Sequence, residues 1–117
     1  MEEKRERMLP QERFLLALFG SELTTRHLVA LCGPDEESIL DELRGRIDSV
    51  LDNLSYRDRG ILEMRYGLGD GHIYTLAEAG YVFRLTRERI RQLQVKALKK
   101  LRRQATVLRE FLDGLER

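Results

Sequence analysis

Residues 85–102 read LTRERIRQLQVKALKKLR, and this stretch predicts an amphipathic helix. Thr86 suits an N-cap, and no glycine or proline interrupts the residues that follow it. Residues 84–103 hold nine basic residues against a single acid, Glu88, although the whole chain has a net charge of only +1. The apolar residues recur at helical spacing and predict one buried stripe: Ile90, Leu93, Ala97, Leu98 and Leu101.

The N-terminal end of this helix carries residues that can read DNA bases. Arg87, Glu88, Arg91 and Gln92 lie at i, i+1, i+4 and i+5, away from the apolar stripe. In a major groove, arginine pairs with guanine, glutamate accepts from the amino group of cytosine, and glutamine pairs with adenine. The competing interpretation is a solvated surface helix, because runs of charge usually lie on solvated faces.

A short helix and a turn precede the basic helix. Thr75 with Glu78 three residues on forms a capping box and predicts a helix over 76–83. Arg84-Leu85 is then a turn, and Thr86 begins the basic helix. Two helices joined in this way form a helix-turn-helix, which favours DNA contact over a merely solvated helix.

The other helices follow from apolar residues at spacings of 3 and 4. Ser55 with Asp58 predicts a cap before the helix expected to begin at residue 56. The glycine-rich residues 67–72 predict a tight interhelical turn, since they lack the Lys-Ser/Thr of a phosphate-binding loop and no strand precedes them. The expected helices are 11–19 with Pro10 at the first position and Gly20 after the end, about 25–32, about 36–53, 56 to about 66, and 107–115.

The fold class that these elements predict is all-α. We expect a small helical domain with a C-terminal helix-turn-helix over 35–117, preceded by a helical extension over 1–34, of which 1–9 are expected to fray. The charge divides at a different point, since residues 1–53 are net acidic and 54–117 net basic. This asymmetry suggests a nucleic-acid-binding half and an acidic half that binds a partner, dimerises or covers the basic helix.

Several functional classes are not expected. The chain has one cysteine, Cys32, expected to be a buried apolar residue, and neither His27 nor His72 beside Asp70 has a second ligand at metal-binding spacing. No nucleophile–base pair or cofactor loop is present, so we expect no catalytic residue, metal, cofactor or enzyme activity. No apolar run approaches the roughly 18 residues of a membrane span, and no signal peptide opens the chain, so we expect a cytoplasmic protein without membrane contact.

Four motifs together resemble region 4 of the housekeeping class of bacterial sigma factors. The likeness runs without a gap from about Leu54 to Arg102, and LTRERIRQ is its most specific part. Residues 49–54 resemble the family's lead-in helix, and 107–113 resemble its C-terminal tail. The four motifs are LSYRDRGILEMRYGL at 54–68, TLAEAG at 75–80, LTRERIRQ at 85–92 and KALKKLR at 96–102.

The resemblance implies a DNA surface that reads the −35 element of double-stranded promoter DNA. By position, Arg87, Glu88, Arg91 and Gln92 would meet bases, and Arg91 could instead meet the backbone. The implied phosphate contacts are Thr75, Arg89, Lys96 and Lys99. Lys96, Lys99 and Lys100 lie where family members meet activators or the DNA backbone.

The resemblance also implies a concave apolar cleft that grips the flap tip of the RNA polymerase β subunit. The implied contributors, either to that cleft or to the core beneath it, are Leu51, Leu54, Ile61, Leu62 and Tyr66. An activator or an anti-sigma-type protein is a further implied partner. The alternative function is an adaptor or polymerase appropriator whose acidic N-terminal part binds a partner and whose DNA face is secondary or masked.

The sequence departs from the family at several positions. Ala77 and Ala79 stand where an acid and a branched aliphatic residue are usual, and Arg84 stands where glycine or aspartate is usual. The promoter-melting region 2 is not in this sequence, so we expect a fragment of a longer sigma factor or a stand-alone region 4-like protein. By itself, such a chain is not expected to open a promoter.

Overall fold

The structure, a computed structural model, describes residues 9–20 and 36–115. The helix expected over 25–32, with His27 and Cys32, lies outside these residues, as does the expected frayed segment up to residue 8. The expected boundary between residues 34 and 35 also lies outside them.

The described residues form six helices and no strand, which confirms the all-α fold class. None of these helices is both long and apolar enough to cross a membrane. The helices are α1 (Pro10–Phe19), α2 (Glu36–Leu51), α3 (Tyr56–Tyr66), α4 (Leu76–Phe83), α5 (Arg87–Gln104) and α6 (Thr106–Leu115).

Local sequence signals set the starts of three helices, as expected. The Ser55 hydroxyl accepts a hydrogen bond at 3.2 Å from the backbone N–H three residues on. Thr75 and Glu78 form a reciprocal capping box, with N···O distances of 3.1 and 2.8 Å. The Thr86 hydroxyl accepts from the N–H of Arg89 at 3.1 Å and caps α5. Each cap satisfies an N–H group that the first turn of a helix leaves without a partner.

Helix α2 ends at Leu51, two residues before the expected end at Asn53. The N–H of Asn53 donates to the carbonyl of Val50 at 3.2 Å, and that of Leu54 donates to Leu51 at 3.0 Å. The Asn53 side chain donates to the Val50 carbonyl as well, at 3.1 Å. Tighter i to i+3 bonds therefore close the helix early, as is common at a helix end.

Helix α5 lies in two apolar clusters at once. Its N-terminal half places Ile90 and Leu93 against Ile61 of α3 and Ala79 of α4. Its C-terminal half packs against α1, α2 and α6 in a larger cluster. That cluster contains Phe14, Leu15, Leu18, Leu40, Leu43, Ile47, Val50, Leu51, Leu62, Ala97, Leu98, Leu101, Ala105, Leu108 and Leu112.

Helix α1 shares this larger cluster and does not form a separate core. Phe14, Leu15 and Leu18 are at most 1% exposed. Arg102 of α5 donates to the carbonyls of Leu18 at 2.9 Å and Ala17 at 3.0 Å. The N-terminal helix is therefore packed directly onto the helical domain that follows it.

The turn between α4 and α5 brings two backbones into close contact. Arg84 has a left-handed backbone with φ 57°, which is uncommon for a residue other than glycine. The N–H of Leu85 donates to the carbonyl of Gly80 at 2.8 Å. A Cβ atom at Gly80 would lie 2.5 Å from the Leu85 carbonyl oxygen, so only glycine fits there.

We predict that Gly80→Ala destabilises the protein by about 1–3 kcal/mol, because the added methyl group must push the turn backbone away. The measurement is urea or thermal unfolding followed by circular dichroism. Gly45→Ala is the matched control, since nothing lies within 4 Å of its Cβ position on α2. The control should raise stability by roughly 0.5–1 kcal/mol. Equal stability of Gly80→Ala and the native protein would contradict the close approach.

Candidate nucleic-acid interface

The start of α5 presents the four base-reading candidates together to solvent. Arg87, Glu88, Arg91 and Gln92 are all exposed, while the opposite side of the same turns holds the buried stripe. The burial of that stripe against α3 and α4 fixes which way the polar face points. This exposed polar face is a surface that can enter a DNA groove without any rearrangement of the core.

The polar side chains of this face hydrogen-bond to one another. Arg91 donates twice to the Glu88 carboxylate, with N···O distances of 2.9 and 2.6 Å. Gln92 donates to the same carboxylate at 3.4 Å and accepts from Arg89 at 3.4 Å. The Arg91 hydrogen bond lowers the pKa of Glu88, and Glu88 in turn raises the pKa of Arg91. Both groups are therefore charged at neutral pH, and such exposed pairs exchange easily for other partners.

The phosphate candidates occupy three places along the helix-turn-helix. Thr75 is the N-cap of α4, Arg89 lies in the first turn of α5, and Lys96 and Lys99 lie farther along α5. All four are exposed. Lys100, the neighbouring lysine, instead donates to the Asn53 carbonyl at 2.9 Å and links α5 to the turn before α3.

A polar network that the sequence did not predict connects α3, α5 and the loop before α4. Arg65 donates to the Gln94 side chain at 2.9 Å and to the carbonyl of Tyr74 at 2.7 Å. Gln94 donates in turn to the Tyr66 hydroxyl at 3.1 Å. Arg65 thereby holds the residue just before Thr75 at a fixed position relative to α5. The partners lie up to 29 residues apart, so no local sequence pattern predicts the network.

The glycine-rich loop is a tight interhelical turn, as predicted. Gly67 ends α3 with a left-handed backbone, φ 71°. Asp70 accepts from the His72 N–H at 2.9 Å and from the Tyr74 hydroxyl at 2.6 Å. The Tyr74 hydroxyl, followed by the His72 amide, lowers the pKa of Asp70. The His72 side chain is exposed and packs edge-on against the Tyr74 ring, with 4.5 Å between ring centroids.

The residues implied for the polymerase cleft divide into two groups. Leu51, Ile61 and Leu62 are at most 2% exposed and lie in the core, the second of the two places expected for them. Leu54 and Tyr66 are partly exposed at the edge of the larger cluster. Beside Leu54 opens a groove of about 1000 Å³ between α3 and α4. Its apolar lining includes Leu54, Tyr56, Met64, Val82 and Phe83.

One segment of the chain matches a known protein family and known relatives. Residues 50–103 match the family described as Sigma-70, region 4. RNA polymerase sigma factor SigA of Microcystis aeruginosa is 47% identical over 81 residues, which cover 68% of this chain and 20% of that protein. The SigA protein of Lactococcus lactis subsp. cremoris is 49% identical over 72 residues, 60% of this chain and 20% of the relative. The chain thus spans about a fifth of the length of the curated relatives it matches.

We predict that Arg65→Ala destabilises the fold by roughly 1–3 kcal/mol, since it leaves the Tyr74 carbonyl and the Gln94 side chain without a charged partner. Unfolding by urea measures the effect. Arg57→Ala on the same helix is the control, because Arg57 is exposed and pairs with the neighbouring Asp58. The control should stay within about 0.5 kcal/mol of the native protein. A loss as small as that of the control would show that the Arg65 network does not hold the helices together.

Proposed function

We propose that residues 50–103, which match the sigma-70 region 4 family, form a DNA-binding helix-turn-helix module of transcription initiation that reads a −35-like promoter element. The observation that carries the proposal is the exposed polar face at the start of α5, aimed outward by a buried stripe on the same helix. In this proposal the first turns of α5 lie in the major groove, and α4 crosses the DNA backbone.

The base contacts follow from the chemistry of the four exposed side chains. Arg87 and Arg91 offer forked donors to guanine, Glu88 accepts from cytosine, and Gln92 pairs with adenine. In the free protein Glu88 and Arg91 hydrogen-bond to each other on the exposed face. Binding exchanges this weak exposed pair for base contacts, so the loss of the pair adds little cost.

The phosphate contacts supply most of the affinity. Thr75 and Arg89 lie at the starts of α4 and α5, where helix N-termini also favour anions. Lys96 and Lys99 extend the positive surface along α5. Each phosphate that is neutralised releases counterions, so binding weakens steeply as salt rises.

The same segment is proposed to dock on RNA polymerase through the β-subunit flap. The surface for this contact is the apolar region formed by α2, α3 and the turn between them, where Leu54 and Tyr66 are partly exposed. Neither Leu54 nor Tyr66 is among the four base-reading side chains, which belong to the start of α5. One chain can therefore engage the polymerase and promoter DNA together, and placing polymerase at a promoter is the role we propose.

We predict that Arg87→Ala and Gln92→Ala reduce sequence preference, each by about 1–3 kcal/mol of discrimination at one base pair. Lys99→Ala should weaken binding to every sequence alike and reduce the slope of log K against log salt by about 1. Fluorescence anisotropy with −35-like duplexes and their single-base variants, at several salt concentrations, measures both quantities. If all three variants lost affinity equally on every duplex, the base-reading assignment would be wrong.

We predict that Leu54→Glu lowers the affinity for core RNA polymerase at least tenfold, because a carboxylate would be desolvated in an apolar contact. Its affinity for −35-like DNA should not change. Leu54→Met is the matched control, since it conserves the volume and apolar character and should bind polymerase normally. Unchanged polymerase binding by Leu54→Glu would remove α2 and α3 from the proposed docking surface. Polymerase binding without any binding to −35-like DNA would instead favour the adaptor.

A further inference from the structure

We propose that α1 is an intramolecular occupant of the apolar cleft through which this chain docks on RNA polymerase. The inference rests on the docking proposed above and concerns the regulation of that site. In this arrangement α1 covers the cleft in the free chain, and an apolar helix of the polymerase flap takes its place on binding.

The position of α1 carries the inference. Helix α1 packs against α3 and α5 and buries its apolar side in the cluster that contains Leu51 and Leu62. The Phe14 ring meets the Tyr66 ring edge-on, with 5.9 Å between centroids. Four of the five residues implied for the polymerase cleft are thus in the cluster that α1 closes or pack against it: Leu51, Leu62, Leu54 and Tyr66.

The chemistry of α1 is that of a helix bound in a groove. Phe14, Leu15 and Leu18 lie at i, i+1 and i+4, so the bulky residues form a single apolar face. The cleft therefore accepts a short amphipathic helix with bulky apolar residues at this spacing. If α1 departed, the cluster would expose a continuous apolar surface of the kind that marks protein interaction sites.

Helix α1 stays in place only through its contacts with the other helices. A ten-residue helix is too short to be stable alone, so α1 persists only while it is docked. Its C-terminal end is held by Arg102, whose guanidinium donates to the Leu18 and Ala17 carbonyls at 2.9 and 3.0 Å. A cation at this end also interacts favourably with the helix dipole.

The covered cleft lowers the apparent affinity for polymerase. When only a fraction of molecules has an open cleft, the dissociation constant rises by the inverse of that fraction. A change that weakens the hold on α1, without altering the cleft itself, must then tighten polymerase binding. Arg102 is suited to this test because it contacts α1 and has no place among the proposed DNA or polymerase contacts.

The test compares the binding of Arg102→Ala and Arg103→Ala to core RNA polymerase by biolayer interferometry. Arg103 is the adjacent exposed residue, so its replacement removes the same charge. We expect Arg102→Ala to bind core enzyme roughly three- to tenfold more tightly than the native chain, and Arg103→Ala to bind as the native chain does. Deletion of the flap from the core enzyme should abolish the difference.

Hydrogen exchange of the native chain tests the same idea without any substitution. On binding to core polymerase, the backbone amides of residues 14–19 should lose protection, while those of α5 keep theirs. Protected α1 amides in the complex, or an Arg102→Ala affinity equal to that of the native chain, would overturn the inference and leave flap docking intact. If no form binds core polymerase although all bind −35-like DNA, the docking proposal fails, and this inference fails with it.

Discussion

The burial of one apolar stripe along α5 is the constraint on which the rest of the structure depends. Its N-terminal half packs into the cluster of the helix-turn-helix, and its C-terminal half packs into the cluster that α1, α2 and α6 close. Because both clusters share one helix, the orientation of the exposed basic face is set over its full length. The charge on that face can therefore be high without disturbing the core, since the basic side chains lie on the exposed side of the helix.

The helix-turn-helix was largely predictable because its signals are local. The hydroxyls of Ser55, Thr75 and Thr86 accept hydrogen bonds from N–H groups in the next helical turn. A short window of sequence is enough to recognise each of these caps. The apolar spacing of α5 likewise identified every buried residue of its stripe. The same spacing placed the four base-reading candidates on the opposite, exposed side, because a helix has a fixed period.

Contacts between distant segments were not predictable in the same way. An amphipathic pattern shows that α1 buries Phe14 and Leu18, but it does not show which helices receive them. The hydrogen bonds of Arg102 to Leu18 and of Arg65 to Gln94 join residues that are 84 and 29 positions apart. Nothing in the local sequence around a basic residue on a charged helix identifies such a distant partner. The left-handed backbone of Arg84 was not predictable for a different reason. The close contact at Gly80 forces that turn, and arginine as a residue type does not indicate it.

We propose that the exposed start of α5 and the N-terminus of α4 form the DNA interface. The most direct test is a titration of the ¹⁵N-labelled chain with a −35-like duplex, followed by amide and side-chain chemical shifts. We predict that the largest shifts fall on residues 75–78 and 86–92, with smaller changes near Lys96 and Lys99 and none in α6. Shifts concentrated in α1, α2 or α6, with residues 86–92 unaffected, would contradict it.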